Sequence, residues 1–246
     1  MIVISYGVEK SGSTLAFEMT KAVLELNGHV QLRLADGPVD PGPTINEVGP
    51  WTDERLARLV ECTEGMKIVV RTHNPPYHLS TDRVLEHLGS GDLKIHVVYR
   101  DPRDTVVSML DDAVRARASN ERRHSDLFTV EDAIAKLAKR LRALRCWGWL
   151  PSLKLVYDDF AFDRVSGPQL IADDLGMTVD PDEVWRIVNS RWTRRNTARP
   201  ERYRTDLWPD EVARVERAFP LFLELVRGNP CVGWFVEWDQ ALDHDC

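Results

Sequence analysis

Four short runs rich in β-branched residues alternate with helical patterns along this chain, and that alternation constrains the fold more than any other feature. The runs are Ile2 to Tyr6, Lys67 to Thr72, Leu93 to Tyr99 and Leu153 to Tyr157, and they read as buried strands. Between them, Thr14 to Leu26 keeps Leu15, Met19, Ala22, Val23 and Leu26 on one face, and Thr52 to Cys62 repeats Leu56, Leu59 and Val60. Pro102 to Arg117 opens with Asp101 as a cap and Pro102 at the first helical position. Glu131 to Trp149 carries Ile134, Leu137, Ala138, Leu141 and Leu144 at helical spacing, and Pro209 to Val226 also reads as helix. Strands alternating with helices imply βαβ units and a mostly parallel central sheet flanked by helices. With 246 residues, 43% of them hydrophobic, the length fits one α/β domain or two small ones. The expectation is one α/β domain over 1–246.

Ligands of such sheets sit beyond the carboxyl ends of the strands. The segments that follow three of the strands are Gly7 to Thr14, Thr72-His73-Asn74 and Arg100-Asp101, all rich in chemistry. The rule places them along one edge.

A net charge of -7 removes the global basic field that long nucleic acid requires, but a local cluster of donors can still hold a small anion. The four cysteines, Cys62, Cys146, Cys231 and Cys246, form no CxxC pair and no metal-ligand spacing, so reduced thiols and no metal site are expected. No leader is visible before Ile2, and no apolar run approaches the ~20 residues that span a bilayer. These features predict a soluble cytoplasmic protein with no membrane or nucleic-acid partner. Asp36 to Trp51 reads as loop. Ala118 to Leu127, with Arg122, Arg123 and His124, reads as a mobile lid or an ordinary solvated loop. Arg191 to Arg204 holds six arginines without the interleaved aromatics of a stacking platform.

Gly7-Val8-Glu9-Lys10-Ser11-Gly12-Ser13-Thr14 joins a strand to a helix. Glycine lets N–H groups turn toward an anion, and the helix start adds unpaired donors and a favourable dipole. Lys10 adds charge, and Ser11, Ser13 and Thr14 add hydroxyls. A triphosphate loop places lysine directly after its second glycine, whereas Ser13 follows Gly12 here.

Glu9-Lys10-Ser11-Gly12-Ser13-Thr14 resembles the Pro-Lys-Ser-Gly-Thr-Thr loop of sulfotransferases that use 3′-phosphoadenosine 5′-phosphosulfate (PAPS). The resemblance implies a P-loop-like element that grips the 5′-phosphosulfate through Lys10, Ser11, Gly12, Ser13 and Thr14. Two positions depart from it: Glu9 stands where the family has proline, and Leu15 where it often has an aromatic residue.

Tyr99-Arg100-Asp101-Pro102-Arg103-Asp104 to Ser108 resembles the family's Arg-Asn-Pro-Lys-Asp…Ser segment, which implies that Arg100 and Ser108 bind the 3′-phosphate. The plain alternative is a capped helix whose Asp104 pairs locally with Arg100 or Arg103. Arg71-Thr72-His73-Asn74-Pro75 resembles the Lys-Thr-His-x-Pro element, which implies that His73 is the catalytic base, a role suited to an imidazole near neutral pH. A lone histidine reads as a strand-end residue that only hydrogen-bonds the backbone, but the position of His73 after a strand on the ligand edge favours the functional reading. Tyr157 falls at the family's Tyr-Glu-Asp-Leu strand end as a cofactor contact, or is a core aromatic. Trp192 is a candidate for stacking on adenine, or a core tryptophan. Arg199 and Arg202 lie where the family closes over the 3′-phosphate.

The resulting expectation is a sulfotransferase. It moves a sulfuryl group from PAPS to a hydroxyl of a small-molecule or carbohydrate acceptor, releases 3′-phosphoadenosine 5′-phosphate (PAP), uses no metal and works as a monomer or homodimer. His73 takes the proton and Lys10 stabilises the leaving phosphate. The alternatives are an ATP-dependent small-molecule kinase and a non-catalytic nucleotide-binding protein.

Overall fold

Strand β1 (Ile2–Gly7) is buried along its whole length, flanked by a parallel neighbour on each side. Its even positions, Ile2, Ile4 and Tyr6, enter one apolar layer and Val3 enters the other, as the two-residue period of a strand requires. A strand covered on both faces must be apolar at nearly every position, which is why the run was legible. The computed structural model describes residues 1–31, 39–40, 47–122, 124–191, 199–228 and 234–235, with 39–40 as backbone only.

The elements after β1 run α1 (Ser13–Leu26), β2 (Val39–Asp40), β3 (Glu47–Val48), α2 (Asp53–Cys62), β4 (Ile68–Thr72), α3 (Thr81–Ser90), β5 (Leu93–Tyr99), α4 (Pro102–Ala118) and α5 (Val130–Trp149). They continue with β6 (Leu153–Val156), α6 (Tyr157–Phe162), α7 (Ser166–Leu175), α8 (Pro181–Ser190), α9 (Tyr203–Asp206), α10 (Pro209–Ala218) and α11 (Pro220–Val226). The sheet order is β2-β3-β4-β1-β5-β6. Every pairing is parallel except β2 with β3, so the expected mostly parallel α/β sheet is what forms.

Helices α1, α7 and α8 cover one face of the sheet around Phe17, Val23, Ile171 and Val184. The other face packs against α2, α4 and α5 through Leu56, Met109, Leu137 and Trp147. Thr129 and Asp132 close a capping box at the start of α5, and Asp101 caps α4 by accepting the Arg103 N–H at 2.8 Å. The helical stretch from Pro209 to Val226 is two helices rather than one, because Pro220 cannot continue α10. Tyr157 opens α6 instead of ending β6. Asp36 to Trp51 lies partly outside the described residues, and its described part contains β3 and the backbone of β2.

Register sets the site. Tyr6 pairs with Thr72 on one side and Val97 on the other, and Tyr99 pairs with Val156. The carboxyl ends of β4, β1, β5 and β6 therefore lie side by side, and each hands on to one of the candidate segments.

Candidate anion-binding site

The loop after β1 is tightly folded. Lys10 (φ 69°) and Gly12 (φ 85°) both take left-handed backbone, and Gly12 is the residue before α1. A Cβ on Gly12 would lie 2.1 Å from Cδ2 of Tyr157, so an aromatic ring presses directly on the loop where a side chain would stand. Ser11 has its hydroxyl oxygen 2.6 Å from the Val8 carbonyl and 3.2 Å from that of Val98, which turns this hydroxyl inward and pins the loop to β5. No side chain caps α1 and its first turn holds no acid, unlike α2, α4 and α8. The first N–H groups of α1 have no acceptor within the helix and mark a place for an anion.

Thr14 and His73 meet through Arg71, a buried residue at the end of β4. Its NH1 donates to the Thr14 hydroxyl at 2.9 Å, and its NH2 is 2.5 Å from His73 Nε2. His73 Nδ1 lies 2.6 Å from the Gly7 carbonyl. A carbonyl only accepts and a guanidinium only donates, so the two contacts fix one tautomer: the proton on Nδ1 and the lone pair on Nε2. His73 is thereby tied to both ends of the loop.

Arg100, at the end of β5, stacks its guanidinium 4.5 Å from the centroid of the same Tyr157 ring that presses on Gly12. Its NH2 donates to Asp104 at 2.9 Å and to the Arg199 carbonyl at 3.3 Å. Its Nε is buried with no hydrogen-bond partner and lies 3.9 Å from Asp158 Oδ1, itself buried and unbonded. Burial pushes the Asp158 carboxyl up to about 6 against the pull of Arg100, and Asp104, Asp101 and Asp159 add to the push. Ser108 is buried one turn beyond Asp104 on α4. Arg202 pairs with Asp111 on α4 at 2.7 Å and with Asp206 at 2.6 Å, while the exposed Arg199 reaches Thr205 and Asp206.

The structure thus brings Lys10, Gly12, Ser13, Thr14, His73, Arg100, Tyr157, Arg199 and Arg202 to one edge. Trp192 lies outside the described residues. The arginine-rich run is largely neutralised where it is described. Arg191 pairs with Glu18 and Glu25 of α1, and Arg204 with Glu201.

Residues that the motifs did not point to complete the surroundings of Lys10. Its Nζ lies 2.9 Å from Asp112 of α4, and Asp112 also accepts from His124 Nδ1 at 2.9 Å and from Arg115 at 3.1 Å. His124 Nε2 in turn reaches Glu9 at 2.8 Å, and Glu9 reaches Arg140 at 2.8 Å. Glu9, the acid that breaks the loop pattern, therefore points at cations and not at the anion site. Burial works to raise its carboxyl, but the hydrogen bond from His124 and the charge of Arg140 hold it well below the usual carboxylate range. Pairing at such sequence separations leaves no periodic signal, so sequence reading had no route to it.

Among the described residues no cluster of three or more His, Cys, Asp or Glu side chains is arranged to hold a metal ion, and no helix is long and apolar enough to cross a membrane. No protein-family model and no curated protein sequence matches the chain. Solved structures similar in fold include a mouse sulfotransferase, SULT7A1, complexed with PAP (14% identity, covering 99% of this chain and 88% of that one, TM-score 0.45). Another is retinol dehydratase in a complex with retinol and PAP (16% identity, covering 89% and 80%, TM-score 0.48). Similarity at this level assigns no activity to this chain.

Proposed function

We propose that the chain is a single-domain, cytoplasmic sulfotransferase that moves a sulfuryl group from PAPS to a hydroxyl of a small-molecule or carbohydrate acceptor. The observation that carries this reading is the Tyr157 ring, which packs against both Gly12 of the loop and Arg100 of the second segment. It couples two anion-binding ends, and PAPS has two anionic ends. The fit is supported by the left-handed Gly12, where no side chain fits, and by the buried Arg100 Nε with no hydrogen-bond partner. A plain triphosphate gives no reason for a second arginine of this kind, and no lysine follows Gly12.

When bound, PAPS supplies the sulfuryl group and a phosphate leaving group. The bond from sulfur to the acceptor oxygen forms as the bond from sulfur to the bridging oxygen breaks. Lys10 neutralises the charge that grows on the bridging oxygen, and N–H groups from Gly12 to Thr14 hold the 5′-phosphate. Arg100, with Ser108 and with Arg199 or Arg202 closing over it, holds the 3′-phosphate and so selects against plain adenylates. His73 takes the acceptor proton on Nε2, the acceptor hydroxyl replacing the Arg71 N–H that faces this nitrogen.

Binding is tested first. PAP at a hundredfold excess over its Kd stabilises by ~2.7 kcal/mol, a readily measured rise in Tm. 5′-AMP should give a much smaller rise, and magnesium should change neither. Labelled PAPS with a panel of alcohols and phenols then tests transfer. A rise with magnesium–ATP and none with PAP supports a kinase instead, and binding without turnover supports a non-catalytic protein.

A further inference from the structure

The chain Glu9–His124–Asp112–Lys10 is a built device that the transfer chemistry does not by itself require. His124 is only 2% exposed, and both of its ring nitrogens face carboxylates, Nδ1 toward Asp112 at 2.9 Å and Nε2 toward Glu9 at 2.8 Å. Carboxylates accept and do not donate, so the geometry calls for a doubly protonated ring. The residue also sits in left-handed backbone at φ 56°, a conformation a non-glycine residue keeps only when its surroundings hold it there. Asp112 divides its two oxygens: Oδ2 takes His124, and Oδ1 is shared between Lys10 and Arg115.

We propose that Asp112, anchored by His124, is a positioning residue for Lys10 that holds the ammonium beside the loop and yields it to an incoming anion. This rests on the reading of the loop as an anion site. Two consequences of the geometry carry it. An anion at the loop must compete with Asp112 for Lys10, so the carboxylate sets a threshold for binding. Exchange is nevertheless cheap, because Asp112 keeps His124 and Arg115 after Lys10 departs, and no buried charge is left without a partner. Glu9 serves the same device from the other side by keeping His124 protonated. This accounts for an acid standing beside an anion site.

Protonation of His124 then modulates the threshold. The groups that face it are Glu9 and Lys10 from the loop, Asp112 and Arg115 from α4, and Lys136 and Arg140 from α5. Burial works against the charged ring, yet the hydrogen bonds to Asp112 and Glu9 raise it above the ordinary histidine value. As pH rises through that raised value, Asp112 loses one of its cations and leans harder on Lys10.

The test measures PAP binding by calorimetry in four proteins: wild type, Asp112→Asn, Lys10→Met and the double variant. Asp112→Asn should bind PAP about three- to ten-fold more tightly than wild type, and the same change should have no effect in the Lys10→Met background. His124→Asn should move affinity the other way, weakening it a few-fold, because Asp112 is then left to Lys10 and Arg115. Opposite signs from two neighbours in one network are not what a general loss of packing produces. Asp112→Asn should also remove the part of the pH dependence above pH 6.5 that wild type adds to the ligand's own titration. Equal effects of Asp112→Asn in both lysine backgrounds, or weakening by both Asp112→Asn and His124→Asn, overturn the inference while leaving the anion site in place. Absence of PAP binding by wild type overturns the reading beneath it and the inference together.

Discussion

At the end of β1 the donors are mainly main-chain N–H groups, and Lys10 is held by a carboxylate with other cations to turn to. At the end of β5 the donor is a side chain, Arg100, packed against the face of Tyr157 with Asp104 and Asp158 beside it. Backbone donors do not titrate, so at the first end pH acts only indirectly, through His124 and Asp112 on Lys10. The second depends on whether Asp158 carries a proton, since its carboxyl, raised to about 6 by burial, competes for Arg100 when ionised. In the proposed complex the two phosphates would therefore be held by different physics: a largely main-chain cradle at the end of β1 and a clamp conditional on Asp158 at the end of β5.

Three experiments break or sharpen that contrast. The largest effect should come from Lys10→Met, which removes charge where it develops. Turnover should fall roughly 10²- to 10³-fold, with PAP affinity changing far less. If Arg100→Met has the same profile, with no loss of preference for PAP over 5′-AMP, the two ends do not differ as described. Next is Gly12→Ala. An added Cβ meets the Tyr157 ring at 2.1 Å in left-handed backbone, so a cost of ~1–3 kcal/mol in denaturant unfolding is expected, together with weakened binding of both phosphates. The smallest effect belongs to Asp158→Asn. A carboxyl whose folded pKa is raised favours the protonated fold, so its contribution to stability is lost as pH rises from about 4 through about 6. By the same sign, wild-type affinity for PAP relative to 5′-AMP should rise as pH falls from 7 toward 5.5. Asp158→Asn should flatten both trends, and retention of both slopes in the variant would show that Asp158 is not their source.

The fold was legible where burial leaves one imprint per residue. β5 runs Leu93–Tyr99, as its apolar run indicated, and Pro102 with Asp101 marked the start of α4 within one residue. The weakly patterned parts were not legible. β3 has two residues, and α7 mixes Gly167 and Pro168 into its first turn. Of the candidate site, the positions directly after strands were readable, because topology alone sends them to one edge. What joins them was not. Gly12 with Tyr157, Lys10 with Asp112 and Glu9 with Arg140 are pairs from distant parts of the chain, and no local period records such pairs. The local pairing of Arg100, just after β5, with Asp104 in the first turn of α4 was foreseeable from their four-residue spacing and is present.

Because the Tyr157 ring occupies the place of a missing Cβ, positions 12 and 157 are not independent letters in the evolution of this chain. A lineage that gains a side chain at 12 must first shrink the residue at 157, and doing so strips Arg100 of the surface on which it lies. Glycine and a large aromatic should therefore be inherited as a pair, with change at either one followed by change at residue 100.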